Sequence, residues 1–226
     1  MLKNILYLHQ QHYSAVVEVK DSIIKKMNLT ESNTELTSNI VNNTALFSTY
    51  IEKDLAKANA DFGIGGYNEH RTVYSRSTVF DDATEPRRLH LGIDIWGKVD
   101  TPVFSPLAGT IHSYAFNKEY GDYGATIIVQ HILDGYTFYT LYGHLALKNL
   151  SNLSEGMSIE AGQQIGNFGN ELENGHWPPH LHFQIIENLD SKKGDYPGVC
   201  KYSEREIYLQ NCPNPDIILQ LINKAV

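Results

Sequence analysis

Cysteine is scarce. The 226 residues contain two, Cys200 and Cys212, both near the C-terminus and outside any CxxC spacing. Two isolated thiols exclude a thiolate zinc site and a disulfide-stapled scaffold, and free thiols in a reducing compartment are the simple expectation. Long apolar runs are also missing: no stretch approaches the ~20 apolar residues that a membrane-spanning helix needs. The N-terminal run MLKNILYL is short and gives way to His9, Gln10, Gln11 and His12, with no small-residue cleavage site after it. The expectation is therefore no membrane span and a cytoplasmic location. Basic charge is in deficit, with Lys and Arg numbering 18 against 26 Asp and Glu, a formal net charge of -8. That argues against nucleic acid, whose phosphates need Lys and Arg, and against docking on an anionic membrane.

Glycine and proline are absent from residues 1–60 and present throughout the rest. This shift divides the chain into an N-terminal helical segment, 1–60, and a main domain, 61–226. Ala15 to Leu29 reads as one helix. Thr30 and Ser32 offer caps for a second, whose stripe Leu36, Ile40, Phe47, Ile51 and Leu55 falls near helical spacing. A helical hairpin packed on the main domain is expected, and a segment lying over the active groove is the sharper alternative.

From Phe62 onward the texture is that of short strands. TVYSRSTVF at 72–80, Ala108 to Phe116, the β-branched GATIIVQH at 124–131, Tyr136 to Tyr142 and HLHFQII at 180–186 all read as strands. Asp134-Gly135 marks a hairpin between two of them. Asn214 as N-cap and Pro215 at the first helical position predict a C-terminal helix that buries Ile217, Ile218, Leu221 and Ile222. The fold class that follows is mainly β. Hydrophobic residues, 42% of the chain, suffice for an ordinary core.

Ten histidines stand against these shortages. In a strand, His180 and His182 point to one face and Leu181 and Phe183 to the other. Two neighbouring imidazoles lose solvation unless a metal or a proton-transfer role compensates. His90-Leu91-Gly92-Ile93-Asp94 is weaker evidence. Fully extended, residues four apart are about 13 Å from one another, so a shared metal requires a bend that Gly92 permits. Together His90, Asp94 and His182 supply two nitrogens and a carboxylate, three protein ligands that leave a fourth position open, the arrangement of catalytic zinc. His and Asp ligands suit Zn²⁺, and manganese, cobalt or iron also fit them. His144 and His180 then remain to handle protons. His112 and His131 have plain strand readings, His9 and His12 have no supporting context, and His176 and Trp177 either line a groove or pack a loop.

The ordered motifs HLGID (90–94), TPVFSPLAGTI (101–111), YGHL (142–145), EGMSIEAGQQIGNFG (155–169) and PPHLHF (178–183) resemble the lysostaphin-type (LytM-like) zinc metallopeptidases. The resemblance implies an open antiparallel β-sheet crossed by a groove. It also implies zinc on His90, Asp94 and His182, with His144 and His180 as catalytic histidines, and hydrolysis of peptide (amide) bonds in peptidoglycan-like peptides. RRLHLGIDIW, NGHWPPHLHFQII and GDYPGV further resemble a subgroup fused to kinase-like and class III aminotransferase domains. That implies a functional association with such enzymes and the alternative of a small, non-wall amide substrate. A non-enzymatic binding module is the remaining reading, against which all five site positions are intact. The family's tyrosine shortly before the first histidine has no counterpart in residues 81–89, and Tyr74 is the nearest upstream. Arg71, Arg87 and Arg88 are candidates for a compensating positive charge, with a surface position the simpler reading of Arg87 and Arg88.

Overall fold

The computed structural model describes residues 1–82 and 84–226. Its strands in chain order are β1 (Ile24–Lys26), β2 (Phe62–Gly65), β3 (Glu69–His70), β4 (Leu89–His90), β5 (Ile93–Trp96), β6 (Pro102–Phe104) and β7 (Gly109–Asn117). They continue with β8 (Gly124–Leu133), β9 (Tyr136–Leu145), β10 (Ser158–Ile159), β11 (Gln164–Asn167), β12 (His180–Ile186) and β13 (Val199–Cys200). Eight of them form one open sheet in the order β1-β2-β5-β12-β9-β8-β7-β10. All neighbours pair antiparallel except β1 with β2, which run parallel. A three-stranded sheet, β13-β4-β3, lies beside the site end, and β11 pairs with β6.

Alternation along the central strands sorts core from chemistry. Ile93 and Ile95 of β5, and Leu181, Phe183 and Ile185 of β12, enter one hydrophobic cluster with Ile127, Val129, Phe138 and Tyr142. The intervening residues Asp94, Trp96, His180, His182 and Gln184 therefore share the opposite face. The Asp134-Gly135 turn has φ of 50° and 79°, the double left-handed conformation that a tight hairpin between twisted strands favours.

Residues 1–60 differ from the expected helical hairpin. Helix α1 (Leu2–Leu8) is followed by a 3-10 turn, Gln10–His12, and Ala15–Leu29 contains edge strand β1 instead of a helix. Val16, Val17 and Ile24 enter the main core. The β-branched residues of VVEV and SII find sheet partners and core contacts, and tertiary packing of this kind overrides a weak helical pattern. The second helix does form, as α2 (Ser38–Val41) and α3 (Thr44–Lys57). Its cap is Asn43, whose side chain accepts from the Leu46 N–H, in place of Thr30 or Ser32. The expected strand at 72–80 is instead a pair of 3-10 turns, Thr72–Arg76 and Thr78–Phe80; its alternating apolar residues pack against helices α2 and α3 and have no adjacent strand edge. At the C-terminus α4 (Arg205–Asn211) precedes a one-turn α5 (Asp216–Leu219). The Asp216 N–H donates to Asn214 Oδ1 at 2.9 Å, and Ile217, Ile218, Leu219 and Leu221 are buried while Ile222 is half-buried.

Candidate active site

Cross-strand pairing assembles the site. In the β5–β12 register His182 lies opposite Asp94, and His180 lies opposite Trp96. The second pair stacks, with ring centroids 4.0 Å apart and planes at 19°. His90 arrives from the small sheet, because the chain leaves β4 at Leu91-Gly92 and enters the main sheet as β5. Gly92 is needed there for more than the bend. A Cβ on it would stand 2.5 Å from His182 Cε1 and 2.8 Å from the Phe183 carbonyl oxygen.

The three expected ligands converge. His90 Nε2 lies 3.0 Å from His182 Nδ1 and 3.2 Å from Asp94 Oδ1. His182 Nδ1 lies 3.1 Å from the same carboxylate oxygen. Among the described residues this is the group whose ligand atoms meet closely enough to share a metal ion. Ligand atoms on a tetrahedral zinc with bonds of about 2.0–2.1 Å stand about 3.3 Å apart, so the triangle fits such an ion with little adjustment. The remaining ring nitrogens are already committed. His90 Nδ1–H donates to the Gly66 carbonyl at 2.9 Å, and His182 Nε2–H donates to Gln184 Oε1 at 2.9 Å. The Gln184 amide in turn donates to the Pro197 carbonyl at 3.1 Å. These bonds aim one lone pair of each imidazole at the centre, as outer hydrogen bonds do around metal-bound histidines.

Arg71 is buried directly behind the carboxylate. Its Nη1 donates to Asp94 Oδ2, its Nε to Glu69 Oε2 at 2.6 Å, and its Nη2 to the Gly66 carbonyl at 3.2 Å. Burial opposes ionisation of Asp94, but His90 and Arg71 outweigh it and hold the carboxyl well below its ordinary range. Burial, reinforced by the Arg71 charge, lowers His90 to about 4. His90 is therefore neutral at pH 7, and Arg71 is the standing positive charge.

His144 and His180 face the same space. Their ring centroids are 4.1 Å apart, and each gives its Nδ1–H to a carbonyl at 2.7 Å, His144 to Asn174 and His180 to Pro178. Nε2 is thus the lone-pair side of both. Burial lowers His180 to about 4 and takes His144 well below its ordinary value, with His180 adding to the shift on His144. His144 reaches its position through backbone strain. It has φ of 64° at an irregularity in the β8–β9 ladder between Ala125 and Ile127, where an extra residue re-aims a side chain. A left-handed non-glycine costs on the order of 1 kcal/mol or more, and such strain concentrates at functional sites.

Tyr74 also belongs to the site. It is buried, its ring lies 6.2 Å from that of His90, and its hydroxyl accepts from Arg71 Nη1 at 3.3 Å. Arg87 is half-buried on the cavity wall, and Arg88 pairs with Asp81 at 2.9 Å away from the ligands. Trp177 does both things expected of it, lining the cavity and packing against Phe47. His176 stacks on Tyr120 outside the cavity lining. Sequence reasoning missed Tyr123, whose hydroxyl is 3.5 Å from His182 Nε2 and donates to the Tyr196 carbonyl at 3.1 Å. It also missed Gln184, although the i+2 spacing from His182 places it on the same face. Cys200 and Cys212 are free and buried, and burial pushes both thiols up to about 12.

Residues 88–194 match the model of Peptidase family M23. This region is similar to M23 peptidase domains. The chain is 30% identical over 125 residues to the L-Ala--D-Glu endopeptidase of Bacillus subtilis (strain 168), a match covering 52% of this chain and 36% of that protein. The chain therefore spans little more than a third of that relative. Among solved structures, it is similar to the catalytic domain of lysostaphin from Staphylococcus simulans, with 24% identity, TM-score 0.36, and coverage of 54% of this chain and 80% of that one. It is also similar to a zinc containing peptidase from Vibrio cholerae, with 22% identity, TM-score 0.38, and coverage of 58% and 35%. No described helix of the chain is long and apolar enough to cross a membrane.

Proposed function

We propose that this chain is a zinc-dependent amide hydrolase in which His90 Nε2, Asp94 Oδ1 and His182 Nδ1 hold the metal, and His144 and His180 are the catalytic histidines. The observation that carries the reading is the convergence of those three atoms at 3.0–3.2 Å, with the far side of each ligand tied by its own hydrogen bond. Zinc in such a site polarises a carbonyl and lowers the pKa of water.

The protein's own residues supply the rest. Arg71 keeps Asp94 ionised and occupies its second oxygen, which leaves Oδ1 for the metal. The Nε2 atoms of His144 and His180 are neutral lone pairs at pH 7, competent to take a proton from water on one side and deliver it to a departing amine on the other. Net, one amide and one water give a carboxylate and an amine. The similarity to the L-Ala--D-Glu endopeptidase of Bacillus subtilis supports peptide bonds of the peptidoglycan type as the first substrates to try.

Metal content of the purified protein beside Asp94→Ala tests the centre, with about one zinc per chain expected and lost in the variant. Turnover of peptidoglycan peptides by the zinc-loaded protein tests the activity. A protein that takes up no metal when zinc is supplied would end this reading.

A further inference from the structure

The site is enclosed. His90, Asp94, His144, His180 and His182 are each at most 6% exposed, and the cavity that reaches them measures about 120 Å³. One wall comes from the small-sheet side, with Tyr196, Gly198 and Val199. The other comes from Leu29, Val73, Tyr74 and Phe80. These residues belong to one hydrophobic cluster with Phe47 and Ile51 of α3 and with Trp96 and Trp177.

That second wall is anchored rather than loosely laid on. Strand β1, which ends three residues before Leu29, is hydrogen-bonded into the main sheet beside β2. Phe47 is fully buried against Trp96 and Trp177, with ring centroids 6.1 and 6.4 Å away. Thr44 Oγ1 donates to the His176 carbonyl at 3.0 Å and accepts from Arg76 Nη2 at 2.9 Å, while the Arg76 guanidinium lies 4.5 Å from the Trp177 ring centroid. Residues 27–57 and 72–80 thus cross over the sheet face and are fastened to the loop that precedes His180.

Among the described residues the cavity meets solvent along one rim, where Arg87 donates to the Val79 carbonyl and its charge acts on both Asp122 and Asp195. Among the described lining residues, only Val79, Arg87, Asp122, Asp195 and Pro197 are half-buried or exposed, and every other one is buried. A peptide cleaved in its interior must enter and leave the reacting centre in two directions, so it needs a groove open at both ends. A dead-end cavity admits a chain end or a small molecule.

We infer that this protein acts on small soluble amides or on the terminal amide of a chain, entering past Val79, Arg87, Asp122, Asp195 and Pro197, and excludes amides inside a cross-linked polymer. This rests on the metal-centre reading above and narrows its substrate. The polymer-bound cross-link becomes a poor substrate because residues on both sides of the bond would have to overlap Leu29, Val73 and Phe80. Forcing extra atoms into packed walls costs about 1–3 kcal/mol or more.

The experiment uses the full chain loaded with cobalt(II), whose visible absorption reports ligands reaching the metal. One ligand is a tripeptide with a C-terminal hydroxamate. The other carries the same group at the middle of a chain, with three residues on each side. The one-ended ligand should change the cobalt spectrum, and the two-sided one should need about 5- to 150-fold higher concentration, the packing penalty above converted to a ratio. Binding of both within a few-fold would overturn the dead-end pocket, either because a second opening exists or because the wall of residues 27–57 and 72–80 moves aside. A cobalt spectrum that neither ligand perturbs would also overturn it, since the cavity would then not be a route to the metal. Failure of the metal reading is separately visible as absence of bound cobalt.

Discussion

The molecule buries histidine in two ways. In the main sheet, His131 on β8 is 1% exposed, with Nδ1–H donating to the Ala108 carbonyl at 2.9 Å and Nε2 paired with Thr140 Oγ1 at 2.8 Å. At the site, His90, His144, His180 and His182 are as thoroughly buried, but each has one nitrogen tied outward and the other aimed into a shared space. Burial lowers His131, His90 and His180 alike to about 4. The pKa shift therefore does not separate structural from functional histidine here. Completeness of hydrogen bonding does: a saturated imidazole is a core residue, and one with a lone pair held open is a ligand or a base.

The widest expected gap between the two regions is in activity. His90→Ala and His182→Ala should lose the metal and all turnover. His144→Ala and His180→Ala should keep the metal, measured by atomic emission, while kcat falls by about 10²–10⁴-fold. His131→Asn should retain metal stoichiometry and kcat. Loss of zinc from His131→Asn would erase the distinction.

Acid stability comes next. A folded-state pKa of about 4 against an unfolded value near 6.5 means that the unfolded chain binds more protons between those pH values. The stabilisation held by neutral His131 is thus complete above about pH 6.5 and lost as pH falls toward 4, on the order of 3 kcal/mol in all. Urea unfolding of the metal-free protein at several pH values should show stability falling over that window, and His131→Asn should flatten the fall. A slope that His131→Asn leaves unchanged would mean that other groups carry it.

Smaller effects sharpen the same contrast. Arg71→Met and Gln184→Leu remove groups bonded to Asp94 and His182, and each should weaken zinc affinity by about 10–100-fold in a competitive chelator titration. Unchanged affinity would reduce both to packing residues. Thr140→Val leaves the His131 lone pair unpaired, which should cost about 1 kcal/mol of stability and leave zinc affinity untouched.

Local pattern carried much of this. HLHFQII spans β12 from His180 to Ile186, and Asp134-Gly135 makes the β8–β9 hairpin. The alternation of a strand is a property of the backbone, so His180 and His182 had to share a face wherever the strand was placed. The misreadings have the opposite character. Ala15–Leu29 and 72–80 are segments whose weak periodicity was settled by partners far along the chain: β2 and the C-terminal Val226 for the first, α2 and α3 for the second. Arg71 and Tyr74 reach Asp94 and His90 because β3 pairs with β4 and turns the chain back toward Asp94, and no spacing in the sequence encodes that approach.

The sequence by itself brought out His90, Asp94 and His182 as a candidate donor set, the strand that carries His180 and His182, and the mainly β character, because each depends on residue chemistry or on a two-residue repeat. Only the tertiary structure decided that Arg71 stands behind Asp94, that Gln184 bonds His182, and that residues 27–57 and 72–80 wall the site into a cavity. Those features are contacts between segments distant in the chain, and they exist only once the sheet has ordered its strands and the hydrophobic cluster around Phe47 and Trp177 has closed over one of its faces.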